Sequence, residues 1–319
     1  MPVSLPFLQR CAAETGFGEA ALEKVVHLGE LASQISSHPL LGKVLALKGG
    51  TALNLSHGEP ARLSVDLDFN YVGSRGRADM LKARPEVEET IERLARRLGY
   101  RTQRSVDAHA GRKVYLRYSS VLGSTDRVEI DLNYLFRVPA GELRHLALWQ
   151  PGGLDRPRVL AVPLVELLAG KINALLDRVA VRDLWDVSRL SSTEPETLAS
   201  PRFRAWFLAL SAVLPLPLTK YGKERLETRV TTEQIGERLL PMLAMGQEAV
   251  AEDLIDRAWA VVAPLLDLKP KELEYVERLQ EGDLRPGLLF PDDPTMTDRV
   301  ANHPAVLWRL KNIRRHIGL

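Results

Sequence analysis

The sequence predicts an α+β protein, with a mixed sheet and flanking helices in its first half and helices alone in its second. Three observations predict this. Apolar or alternating runs suited to strands are confined to positions 44–136. From Pro163 onward, apolar residues recur at helical spacing almost to the end. Pro157 and Pro163 bracket the change, so we place an α/β domain with an N-terminal helix over 1–158 and a helical domain over 159–319. The 319 residues suit two domains, and 45% apolar content is enough to build both cores.

The elements follow in order. Positions 19–33 carry Leu22, Val25, Val26, Leu28 and Leu31, one stripe of a helix. Positions 44–47 form a short buried strand, and a helix opens at Thr51 with the threonine as its cap. Positions 65–71 alternate as a strand. Val87, Ile91, Leu94 and Leu98 are spaced 4, 3 and 4 apart, a helical stripe stopped by Gly99. Positions 113–119 and 127–136 alternate again. The helical half is interrupted by loops at 191–201, 215–222 and 281–304; "RPGLLFPDDP" in the last connects the final helices. Trp185, Trp206, Trp259 and Trp308 are expected to pack this half.

Composition narrows the function classes. The single cysteine, Cys11, allows no internal disulfide and no cysteine zinc cluster, as expected of a reducing compartment. His27, His57, His109 and His145 show no metal spacing. No apolar run approaches the ~18 residues of a membrane helix, and "MPVSLPFLQRCAAE" does not read as a signal peptide, so none is expected. A soluble cytoplasmic protein is expected. Net charge is only +2, yet Arg93, Arg96, Arg97, Arg101, Arg104, Arg112, Lys113 and Arg117 cluster against one acid, Asp107. Such a patch suits a polyanion, or else a solvated helix face.

Chemistry concentrates in "LKGGTALNLSHGEPARLSVDLDFN". Sixteen positions after Gly50, Asp66 and Asp68 flank one leucine on a strand, so both carboxylates share the face opposite Val65, Leu67 and Phe69. Like charges this close need a cation between them, and carboxylate oxygens suit magnesium or manganese. In "DRVEIDLNYL" a second strand puts Glu129 and Asp131 on one face; Asp131 is the first choice for a third acid and Glu129 the alternative. Gly49 and Gly50 allow backbone to approach a ligand, and the N-terminus of the next helix favours a phosphate. In the helical half, Lys171 falls inside the apolar stripe of Leu164, Leu167, Leu168 and Leu175. It must snorkel or meet an anion. Asp183 and Asp186, three apart on one helix, are placed either to hold it or to meet the substrate.

Together, "KGGTALNL", "RLSVDLDF", "GKINALLDR" and "RDLWDV" resemble the AbiEii/AbiGii toxin family of polymerase-beta-type nucleotidyltransferases, which includes the MenT-type toxins. The resemblance covers about 40 to 190. It implies that Lys48, Gly49, Gly50, Thr51 and Ser64 bind the nucleoside triphosphate, and that Asp66 and Asp68 hold magnesium. It implies further that Lys171 contacts the phosphates and that Asp183 or Asp186 completes the site; Asp131 is the least regular transfer. The family implies a toxin of a toxin–antitoxin pair, in some cases of phage defence; some members add nucleotides to the 3′ end of tRNA and so block translation, which makes tRNA the expected acceptor. Its cognate antitoxin is typically a winged-helix repressor. Rival readings fit less well. A haloacid-dehalogenase-type phosphatase would want Thr or Val where Asn70 stands, and a metal-dependent glycosyltransferase leaves Lys171 unexplained. A non-catalytic relative would not need its acids and lysine intact. A transferase acting on a protein or small molecule stays open.

Overall fold

The computed structural model describes residues 3–56, 58–106, 108 and 110–318; His57, Asp107 and His109 lie outside them. The fold is α+β, and the chain divides into two compact units. One comprises Met1–Val162 and Leu240–Gln247, the other Pro163–Leu239 and Glu248–Leu319.

In the first unit, β1 (Leu45–Lys48), β2 (Asp66–Tyr71), β3 (Arg101–Arg104), β4 (Gly111–Ser119), β5 (Thr125–Asn133), β6 (Arg144–Ala147) and β7 (Arg158–Ala161) form one sheet. Its order is β3-β4-β5-β2-β1-β7-β6. The β1–β7 and β2–β5 pairs are parallel and the others antiparallel. The helices are α1 (Leu5–Thr15), α2 (Glu19–Ser37), α3 (Leu41–Val44), α4 (Gly49–Asn54) and α5 (Arg77–Arg97). One face of the sheet is apolar: Leu45, Leu47, Leu67, Phe69, Val114, Leu116, Val128, Ile130 and Leu132 are all buried. It is covered by α2, which buries Leu22, Val25, Leu28, Leu31 and Ile35, and at its β3 edge by α5. The intervening residues of β2, β4 and β5 are polar and face the other way, the alternation expected of a half-covered sheet.

Strands β3, β6 and β7 are absent from the sequence reading, and β7 falls within the stretch read as a boundary. Each has four residues, and β3 is Arg-Thr-Gln-Arg, too short and polar for alternation to stand out. Trp149 is buried here, edge-on to Phe17 at 6.4 Å, its backbone N–H donating to the Leu55 carbonyl at 2.6 Å. His27 packs on Tyr118 at 3.9 Å and bonds the Tyr100 hydroxyl at 2.6 Å.

The second unit contains α6 (Leu164–Arg178), α7 (Val181–Thr193), α8 (Pro195–Ala199), α9 (Pro201–Ser211), α10 (Glu224–Arg229), α11 (Thr232–Arg238), α12 (Ala251–Leu266), α13 (Pro270–Gln280), α14 (Pro294–Ala301) and α15 (Pro304–His316). Helix α6 packs on α9, and α7 on α12. Two stretches expected as loops hold α8 and α14. In the second, the Asp293 carboxylate accepts from Met296 N at 2.9 Å and Pro294 follows it, a capped helix start hidden in the proline-rich run. Trp185 and Trp206 are buried as expected, but Trp308 is 44% exposed. Among the described residues no helix is long and apolar enough to cross a membrane.

Candidate active site

The site in the first unit begins where β1 ends. Gly49 has φ +74, a left-handed conformation that turns the chain directly from β1 into α4. A Cβ at Gly49 would stand 2.2 Å from Asp68 Oδ2; one at Gly50 would stand 2.9 Å from Ser64 Oγ and 3.1 Å from Arg62 Nη2. The glycines therefore let the turn lie against Asp68 and Ser64. Thr51 is not the helix cap. Lys48 occupies that position in extended conformation, and Thr51 sits buried in the first turn, its hydroxyl donating to the Asp66 carbonyl. Gly49→Ala should cost about 1–2 kcal/mol for the left-handed backbone. By displacing Asp68 it should also lower activity about 10²-fold. Thermal melting and nucleotide-transfer rates check this; wild-type values for both would contradict it.

Strand β2 sends Leu67 and Phe69 into the core and Asp66 and Asp68 to the opposite face. Parallel pairing sets Asp66 beside Glu129 and Asp68 beside Asp131, while Lys48 pairs with Asp68 from β1. Both acids of β5 thus share the face of the β2 pair. On the far side of β5, Lys113 of β4 reaches Glu129 at 3.4 Å and Asp131 at 3.7 Å. Burial alone would lower the Lys113 ammonium; Asp131, Glu129 and Asp66 hold it above its ordinary value. Among the described residues, no group of three or more His, Cys, Asp or Glu is arranged to hold a metal ion by itself.

Burial pushes the Asp131 carboxyl above its ordinary 3.8, and Asp68 adds to this; Lys48 and Lys113 oppose it without cancelling it. A carboxyl raised by folding contributes most below its unfolded pKa, and that contribution is lost as pH rises through the folded value. Ionised Asp131 therefore weakens the fold at neutral pH. Asp131→Asn should melt higher than wild type at pH 7, with the difference shrinking toward pH ~4. Calorimetry across that range checks the sign; a difference that grows on acidification would contradict it.

In the helical unit, Lys171 is 7% exposed and donates to Asp183 Oδ1 at 2.8 Å and pairs with Asp186 Oδ2 at 2.9 Å. Arg178 Nε binds the other Asp183 oxygen at 2.6 Å. Of the two roles open for these aspartates in the sequence, holding the lysine is what both do here. Burial alone would raise the Asp183 carboxyl, but Lys171 and Arg178 hold it below its ordinary value.

The basic stretch changes its meaning in the fold. Arg112 pairs with Glu88 at 3.0 Å, Arg104 with Glu92 at 2.6 Å and Arg96 with Glu92 at 2.6 Å. Glu88 and Glu92 lie just upstream of the run, on α5, so the one-acid count understated its neutralisation. As an undivided polyanion patch the stretch is corrected. Sequence reasoning missed Arg62 and placed Lys113 only in the basic run. Arg62 is buried beside the glycine turn, its Nη1 donating to the Leu63 carbonyl at 2.8 Å. Lys113 is legible only once β4 is known to neighbour β5.

A family model described as the nucleotidyl transferase AbiEii toxin of a type IV toxin–antitoxin system matches residues 31–262. Nothing among curated protein sequences matches. Among solved structures, MenT4, a nucleotidyltransferase toxin from Mycobacterium tuberculosis H37Rv, aligns over 96% of this chain and 99% of its own, with TM-score 0.65 and 20% identity. That likeness speaks for the fold, with the sheet and the helical unit both inside the aligned span. The family match, which spans β1, the glycine turn, both aspartate strands and the Lys171 helix, places this chain in the AbiEii family of nucleotidyltransferase toxins of type IV toxin–antitoxin systems.

Proposed function

We propose that this chain transfers a nucleotide from a nucleoside triphosphate to the 3′-terminal hydroxyl of tRNA, and so stops translation in the cytoplasm. One observation carries the reading: Asp66 and Asp68 share one face of a central strand, with the Gly49 backbone pressed against Asp68. The residues fit a divalent cation. Two adjacent hard carboxylates suit magnesium or manganese, which commonly takes its remaining ligands from substrate phosphates and water. When bound, such an ion neutralises charge on the triphosphate and lowers the pKa of the attacking hydroxyl.

The chain's own part is positioning. Asp66 and Asp68 would hold the ion, with Asp131 beside them. The Gly49–Gly50–Thr51 turn, with Lys48 and Ser64, would seat the phosphates. The acceptor oxygen bonds to the α-phosphorus, the α–β anhydride breaks, pyrophosphate leaves and the hydroxyl proton passes to solvent. We carry Lys171 as a phosphate-facing cation braced by Asp183 and Asp186, on the strength of the family resemblance. A winged-helix antitoxin would restrain the toxin, with phage defence as its setting.

The test is on the product. tRNA treated with the protein, nucleotide and magnesium, then repurified, should fail to support cell-free translation, and untreated tRNA should restore it. Treated tRNA that translates normally would move the reading to a protein or small-molecule acceptor.

A further inference from the structure

The polar face of the sheet continues past the acids. Three rows cross it by register. The first joins Lys113, Asp131, Asp68 and Lys48; the second joins Gln103, Tyr115, Glu129 and Asp66; the third joins Arg101, Arg117 and Arg127. Successive rows are two residues apart along the strands, so the arginine row lies about 13 Å from the first row and about 7 Å from the Tyr115 row. Alternation separates these arginines from those committed to Glu88 and Glu92. Arg104 and Arg112 point to the α5 face, whereas Arg101 and Arg117 point away from it and are exposed.

Three arginines directly opposite one another on neighbouring strands repel. Of them Arg127 has a carboxylate, Glu129 at 3.1 Å, and its guanidinium lies over the Tyr115 ring at 5.1 Å. Tyr115 is half-buried, directly opposite Glu129 in the second row and one row from the arginines. The face thus passes from acids, with an aromatic ring beside them, to a cationic row.

We infer that this strip, Tyr115 with Arg101, Arg117 and Arg127, is the docking surface for the single-stranded 3′ segment of the acceptor. This rests on the proposed transferase reading and adds to it the surface that receives the polynucleotide. Charge complementarity selects the occupant. Guanidinium groups at strand spacing meet successive phosphates, and an aromatic ring among them stacks a base, the combination by which sequence-tolerant proteins hold single strands. The strip leads to Asp66, where the strand's last hydroxyl is needed. Arg127 would exchange Glu129 for phosphate.

The test is fluorescence anisotropy of the full-length chain with a fluorescein-labelled single-stranded RNA bearing a free 3′ hydroxyl, titrated over salt. Arg101→Ala and Arg117→Ala should each weaken binding severalfold and reduce the slope of log affinity against log salt by about 0.7. Tyr115→Ala should weaken it roughly 5- to 150-fold. Tyr115→Phe, which keeps the ring, should bind as wild type. In the transfer assay the three alanine variants should raise KM for the acceptor and leave KM for the nucleotide unchanged. Unaltered RNA affinity and acceptor KM in all three alanine variants would overturn the inference. So would equal loss in Tyr115→Phe and Tyr115→Ala. Transfer failing in wild type while the binding pattern holds would overturn the transferase reading and leave this surface standing.

Discussion

Asp66→Ala should lower nucleotide transfer by about 10³-fold or more while the protein melts within a few degrees of wild type. The carboxylate is half-buried in a row that already holds Glu129, and Asp68 follows on the same face. Removing it relieves like-charge repulsion and leaves no apolar cavity, because Leu67 and Phe69 fill the core side. On the proposed reading it also removes a metal ligand that acts when charge builds on the triphosphate. Asp68→Ala should behave similarly, with some loosening of the glycine turn that packs on it. Steady-state transfer and circular-dichroism melting, run on the same preparations, separate the two effects. Full activity in a normally folded Asp66→Ala protein would remove this residue from the site.

The second large effect is on stability. Lys171→Met removes the ammonium shared by two carboxylates whose side chains are 2% and 0% exposed, Asp183 and Asp186, and leaves Arg178 on Asp183. Breaking a buried charge pair from one side costs about 3–5 kcal/mol, and the expected fall in Tm is on the order of 10 °C. The pH dependence has a definite sign. Asp183 is held below its ordinary 3.8, so its contribution is present above that value and lost as pH falls through the lower folded pKa. The gap between wild type and Lys171→Met should therefore close in acid, below pH ~4. Adding Asp183→Asn and Asp186→Asn should recover much of the lost stability by removing the buried charges that the lysine balanced. A Lys171→Met protein that melts with wild type would contradict the structural role of this network.

The legible parts of the site were those written into local periodicity. An x-D-x-D alternation between buried residues puts two carboxylates on one face whatever the rest of the sheet does. A lysine inside an apolar helical stripe announces a buried partner, and Asp183 and Asp186 supplied it from the next helix. The illegible parts depend on which strands become neighbours. Lys113 joins the acids because β4 pairs antiparallel with β5, a fact with no local signature. The basic run lost Arg104 and Arg112 to Glu92 and Glu88 because α5 packs beside their strands, and Arg96 to Glu92 one turn back on α5 itself. The Arg101–Arg117–Arg127 row exists only through two registers. Arg62 is buried next to the glycine turn, where the segment from Leu240 to Gln247 returns to pair with it through Leu243. Thr51 looked like a cap because the sequence cannot show that the helix starts two residues earlier, on glycine.

The most direct test of the account is a transfer assay. The full-length protein would be incubated with magnesium, total tRNA and each α-labelled nucleoside triphosphate in turn, alongside Asp66→Ala. The account predicts label at the tRNA 3′ end with the wild-type chain, lost when the terminal ribose is first oxidised with periodate and absent with the variant. No label on tRNA with any nucleotide, or label that survives periodate, would contradict it.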